Sequence, residues 1–178
     1  MTDQPVAYLA GPEVFLPDAI DIGRTKVAIC RARGFDAIFP LVSSGSTGAL
    51  AANLGHEIFE RCVDMMGRCN LVIANLTPFR GVSMDVGTAV EIGYMFGKGH
   101  PVFGYTNVIE DYEARVSDDS LAVESFGFAD NLMCEGPIWK SGGSVVRTRV
   151  EASERFTDLR GFVASVEQAA ALLAPQPG

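Results

Sequence analysis

Residues 71–76 make an apolar run broken only by Asn75, and no other feature of the chain constrains its fold as tightly. A strand with one wet face alternates apolar and polar side chains. A run without alternation suits a strand buried on both faces, inside a parallel sheet covered by helices. A loop with Pro78 and Gly81 follows, then a helix-like segment carrying Asp85 and Glu91, and a second apolar run spans 101–105. Residues 70–105 therefore read as a parallel βαβ unit. Ligands of such units sit at the carboxyl ends of the strands, and that end delivers Asn75, Thr77, Arg80 and Asp85.

The remaining segments supply the rest of one α/β domain. At 178 residues and 48% hydrophobic content, the chain holds one well-packed core, and a single domain over 1–178 is expected. Residues 6–10 read as a first buried strand stopped by Gly11 and Pro12, with Tyr8 read as core from spacing alone. Pro17 and Asp18 mark a helix start. Ile20, Val27, Ala28 and Cys30 fit its buried face up to Gly34, with Arg24, Lys26, Arg31 and Arg33 on the solvated one. Residues 35–40 form a second candidate strand. The Ser- and Gly-rich stretch 41–55 reads as a mobile surface loop. A helix over 56–69 places Ile58, Phe59, Cys62, Met65 and Met66 on one side, a stripe that periodicity alone assigns to the core. Residues 107–119 make an exposed acidic connection with some helix. The apolar segment 126–136 lies outside regular structure and packs on something, a neighbouring subunit being one option. After a break at 141–144, helical spacing runs over 150–173, and the Pro-rich end frays.

Charge and cysteine usage exclude several classes. A formal charge of -8 and a pI near 4.7 disfavour a nucleic-acid polymer or an anionic membrane, because either needs a basic stripe. No apolar run approaches the roughly 20 residues of a membrane span, and no secretory leader is recognisable, so cytoplasm is the expected compartment. Cys30, Cys62, Cys69 and Cys134 form no CxxC pair, and His56 and His100 lie far apart, so no metal site and no cofactor is expected. Small neutral ligands remain.

Two acids carry the chemistry. Asp85 fits the N-cap of the central helix, accepting from amides near Gly87 and Thr88. Glu91 sits among Val86, Ala89, Val90, Ile92 and Met95 on a helix expected to be largely buried. A buried carboxylate needs a partner or a task. Helical side chains lean toward the N-terminus, so Glu91 points over Gly87, whose missing Cβ leaves room for a ligand. Such a pair allows several acid/base reactions. Glycosyl transfer is one, with one carboxylate attacking an anomeric carbon while other groups hold the sugar.

The chain resembles the nucleoside 2-deoxyribosyltransferase family over most of its length. The resemblance rests on Ala7-Tyr8-Leu9-Ala10-Gly11-Pro12 with Phe15, the helix before Asn70, Asn75 through Gly81, the DxGTAxExGY pattern from Asp85 to Tyr94, and Asp130-Asn131-Leu132-Met133. It implies a flavodoxin-like, doubly wound parallel sheet in a three-layer sandwich, and transfer of 2-deoxyribose between nucleobases by double displacement. Glu91 matches the nucleophile, Tyr8 the tyrosine that holds it, and Asp85 the acid on the sugar's 5′-hydroxyl. Asn131 matches an asparagine donated to a neighbouring subunit's site, which implies a homo-oligomer. By position, Phe15 and Met84 wall the base, with Gly11 and Gly87 lining the same pocket. One departure stands out. Where the family often carries an Asp or Asn that contacts the base, this chain has Cys62, and a thiol is a poor substitute. Asp64 is two residues on, about 200° round the helix. Partners implied are a nucleoside and a free nucleobase. Rival readings are an N-glycosidase of nucleosides or nucleoside 5′-monophosphates, which Asp85 disfavours by repelling a phosphate, and a catalytically weak nucleoside-binding protein, suggested by Cys62.

Overall fold

The computed structural model describes residues 4–41, 51–117 and 120–174. Five strands form one all-parallel sheet: β1 (Val6–Ala10), β2 (Asp36–Ile38), β3 (Leu71–Asn75), β4 (Val102–Thr106) and β5 (Val146–Arg147). Their spatial order is β2-β1-β3-β4-β5, the flavodoxin-like arrangement. The connection from β1 moves outward to β2 and later ones move the other way, so the winding reverses between β1 and β3. A crevice must open there, beyond Ala10 and Asn75.

The expected βαβ unit forms, with Ala74 in register with Gly104 across β3 and β4. Both strands are buried along their whole length. Period-two alternation sends neighbouring side chains to two separate cores. Ala7, Leu9, Leu71 and Ile73 pack with Cys30, Phe162 and Val166 beneath α1 (Ala19–Arg31) and α6 (Arg160–Leu173). Tyr8, Ala10, Val72 and Ala74 pack with Met66, Ile92, Met95 and Ile138 beneath α2 (Ala51–Gly67), α3 (Val86–Gly97) and α5 (Leu132–Lys140). Helices on both faces complete the three-layer sandwich. Gly104 permits the close approach of α5, because a Cβ there would stand 2.6 Å from Ile138 Cδ1 and 2.7 Å from Leu76 Cδ1.

Several boundaries differ from the sequence reading. Lys26 is not on a solvated face: it is fully buried, and its Nζ lies 2.7 Å from Glu13 Oε1 and 4.6 Å from the Phe162 ring centroid. Ile20, expected inside, is exposed. The inward face of α1 runs through Ala19, Ile22, Gly23, Lys26 and Cys30, a spacing to which a paired lysine belongs. Helix α2 begins at Ala51, so residues 51–55 are helical; the rest of the expected loop from 42 to 50 lies outside the described residues. The final helix starts at Arg160 rather than 150, since Asn107 Nδ2 donates to the carbonyls of Arg155 and Asp158, oxygens that a longer helix would need. Residues 126–136 are partly regular: Asn131 caps α5 by accepting from the Met133 amide at 2.9 Å. The acidic connection contains the short helix α4 (Tyr112–Arg115).

Candidate active site

Helix α3 brings its two acids to the switch point. Asp85 is extended, with φ -61° and ψ 132°, and its Oδ2 accepts from the Thr88 amide at 3.1 Å and the Thr88 hydroxyl at 3.3 Å. The expected N-cap is therefore present. Glu91 stands farther along the helix, and its Oε1 accepts from the Tyr8 hydroxyl at 2.6 Å. Tyr8 is fully buried on β1, so it is both core and partner. Its phenol stays protonated: burial pushes its pKa up, and the adjacent Glu91 and Cys62 push it further. Tyr8 is thus a fixed donor.

Glu91 is held away from the ordinary carboxylate range. Burial raises its pKa, the Tyr8 hydrogen bond partly offsets that, and the nearby Asp85 charge raises it again, to about 7. Near neutrality the group is divided between a carboxylate and a protonated acid. The helix itself is less buried than expected, for Val86 is 81% and Val90 68% exposed, while Thr88, Ile92 and Met95 face inward. The space over Gly87 is open; a Cβ there would approach only Asp85, at 3.0 Å from Oδ2.

Cys62 joins this group. Its half-buried thiol interacts with Tyr8 and Glu91, and burial raises its pKa. Only Met66 of the expected α2 stripe is deeply buried; Phe59 is exposed, and Ile58, Cys62 and Met65 are half-buried. Asp64 is exposed. Met84 is buried against the second core. Gly11 closes β1, where a Cβ would collide with the Glu13 carboxylate and come within 2.9 Å of Asn75 Cβ. Asn75 and Thr77 serve the backbone: Asn75 Oδ1 accepts from the Thr77 amide, and Thr77 Oγ1 accepts from the Asn107 amide.

An aromatic shelf stands beside the loop, and only its first ring was legible in the sequence. Phe15 stacks on Phe79 with centroids 5.4 Å apart and planes 9° from parallel, and Phe156 meets Phe79 edge-on. The Arg80 guanidinium lies 4.6 Å from the Phe79 centroid and 5.1 Å from that of Phe15. Arg80 has φ 56°, a left-handed conformation that costs a non-glycine residue about 1 kcal/mol or more. Sequence reasoning named Asp130 without a role and passed over Arg115. Asp130 is 1% exposed and lies behind the loop that leads to Asp85. Its signals were an acid inside the apolar segment 126–136 and a place in the Asp130-Asn131-Leu132-Met133 stretch.

The fold and these side chains define a doubly wound α/β protein that gathers Tyr8, Asp85 and Glu91 at the topological switch point. The chain belongs to the nucleoside 2-deoxyribosyltransferase family, whose model matches residues 7–133. It is similar to an uncharacterized protein of Schizosaccharomyces pombe, 34% identical in an alignment that covers 79% of this chain and 80% of the yeast protein. Among solved structures, a 2-desoxiribosyltransferase from Leishmania mexicana matches with TM-score 0.65 and 28% identity over 92% of this chain and 97% of that one. A conserved protein from Enterococcus faecalis shares the fold, with TM-score 0.52 and 20% identity over 93% and 99% of the two chains.

Proposed function

We propose that the protein transfers 2-deoxyribose from one nucleobase to another through an ester on Glu91. The carrying observation is the Tyr8 hydroxyl 2.6 Å from Glu91 Oε1, beside Asp85 at the switch point. In the first displacement the free carboxylate oxygen attacks C1′, the glycosidic C–N bond breaks, and the base leaves with the electron pair and takes up a proton. In the second, a nitrogen of the incoming base attacks C1′ and loses its proton to solvent, while the C1′–O ester bond breaks and its electron pair returns to Glu91. Two inversions give net retention. Tyr8 orients the carboxylate and balances its charge, and Asp85 accepts from the sugar's 5′-hydroxyl. Phe15 and Met84 flank the base, and Cys62 stands at its edge. The donor is a 2′-deoxynucleoside and the acceptor a free nucleobase.

Attack by water instead of a base would make the same site an N-glycosidase, and Cys62 favours that reading because a thiol orients an acceptor base weakly. Asp85 weighs against 5′-monophosphates as substrates, since a carboxylate repels a phosphate dianion. We further infer a homo-oligomer in which Asn131 contributes to a neighbouring site. Its support is the exposed apolar set Val86, Val90, Phe59 and Met133. Within one chain the Asn131 amide donates to Glu124 at 2.9 and 3.0 Å, a bond it would exchange for substrate. Incubation of 2′-deoxynucleosides and 5′-nucleotides with and without an acceptor base, followed by product analysis, tests the set. A new nucleoside formed with its acceptor supports transfer. Free sugar alone means hydrolysis, and faster consumption of nucleotides than of nucleosides rejects the role given to Asp85.

A further inference from the structure

Asp130 stands behind the site, with no contact to Glu91 or Tyr8, yet its carboxylate is spent on the elements that carry other site residues. Oδ1 accepts from the Ser83 hydroxyl and, at 2.8 Å, from the Asn131 amide; Oδ2 accepts from the Met84 amide at 2.8 Å. Two of those donors immediately precede Asp85, and the third belongs to the residue that caps α5. Arg115 backs the same junction. Its guanidinium donates to Val82 O at 3.0 Å and Ala129 O at 2.6 Å, and lies 3.8 Å from Asp130 Oδ2. The loop 82–84 and the segment 129–131 are therefore pinned together from both sides by one buried acid and one base. Burying a carboxylate is costly unless its hydrogen bonds are made, and here they are made to the two segments that carry Asp85 and Asn131.

We infer that Asp130 is a positioning residue that holds Asp85 and Asn131 in one rigid frame, so that the 5′-hydroxyl contact of a chain and the asparagine it donates are set together; the inference rests on the deoxyribosyl-transfer reading. An acceptor at both oxygens is needed. In Asp130→Asn the new amide nitrogen faces an N–H or hydroxyl donor, the geometry of one bond turns repulsive, and Asp85 loses its fixed approach. The loss falls on substrate that uses the 5′-hydroxyl.

The test is a double-mutant cycle between Asp130→Asn and Asp85→Ala, read with a 2′-deoxynucleoside and with its 2′,5′-dideoxy analogue. Asp130→Asn is expected to lower kcat/KM about tenfold on the first substrate, chiefly through KM, and less than about threefold on the analogue. Once Asp85 is Ala, it should add less than about threefold. Equal losses on both substrates that multiply with Asp85→Ala overturn the inference. Ser83→Ala removes a single donor, so it should move the substrate ratio the same way by less, and it decides the matter if Asp130→Asn does not fold. Amide hydrogen exchange provides a readout free of turnover. Protection over residues 83–88 should fall in Asp130→Asn while β3 keeps its own, and unchanged protection overturns the frame. A wild-type protein that turns over no nucleoside rejects the proposed function instead, and exchange still decides whether Asp130 fixes the loop.

Discussion

Glu91 and Tyr8 set the pH behaviour of the site. The attacking form of Glu91 is the carboxylate, and its pKa stands near 7, so kcat/KM should rise with pH through an acid limb centred there. Because the Tyr8 bond lowers that pKa, Tyr8→Phe should move the limb upward as well as slow the reaction; a limb that stays in place would separate Tyr8 from Glu91. The same shift has a cost in stability. A carboxyl whose folded pKa exceeds its unfolded value stabilises fully below the unfolded pKa, and that contribution is lost as pH rises through the folded one. Glu91 thus weakens the fold above pH 7 by about 3 kcal/mol. Glu91→Gln should be inactive and melt higher than the parent at pH 8, with the gap closing near pH 4. This pairing was implied by the family resemblance, whereas spacing alone read Tyr8 as core. The role of Asp130 was not legible, because two of its three donors, Ser83 and Met84, lie 47 and 46 residues away in sequence.

At the scale of elements, the buried Lys26 of α1 is the firmest structural commitment outside the site. Glu13 Oε1 accepts from Lys26 Nζ and, at 2.6 Å, from the Tyr105 hydroxyl, and the lysine holds the Glu13 carboxyl below its usual range. The pair joins α1 and β4 to the turn after Gly11. Removing one member strands the other charge, so Lys26→Met should cost about 3–5 kcal/mol in urea denaturation, and adding Glu13→Gln should recover much of it. A neutral effect of Lys26→Met alone would contradict the pairing. The sequence concealed this contact for a plain reason: a lysine on an amphipathic helix is ordinarily solvated, and its partner precedes the helix. Helix α3 misled in the other direction. Val86 and Val90 read as core by composition, yet they point outward, since hydrophobicity alone does not distinguish a fold's interior from an exposed apolar surface.

For the whole molecule, the all-parallel order and the two-sided core followed from apolar runs without alternation, and the structure bears them out. The start of α6 did not follow, because Asn107 takes its carbonyls from far along the chain. No helix among the described residues is long and apolar enough to cross a membrane. The exposed Val90 and Phe59 bear on assembly. Sedimentation should give a mass above one chain, and Val90→Asp should lower both that mass and the activity; a wild-type monomer with full activity would remove the shared site. The central claim is the ester on Glu91. Acid quenching of the protein with a 2′-deoxynucleoside and no acceptor, followed by peptide mass analysis, should show one deoxyribosyl group on the peptide that contains Glu91, and that adduct should vanish when a free base is added before the quench. Turnover with no adduct on that peptide, or an adduct that persists in Glu91→Gln, would contradict it.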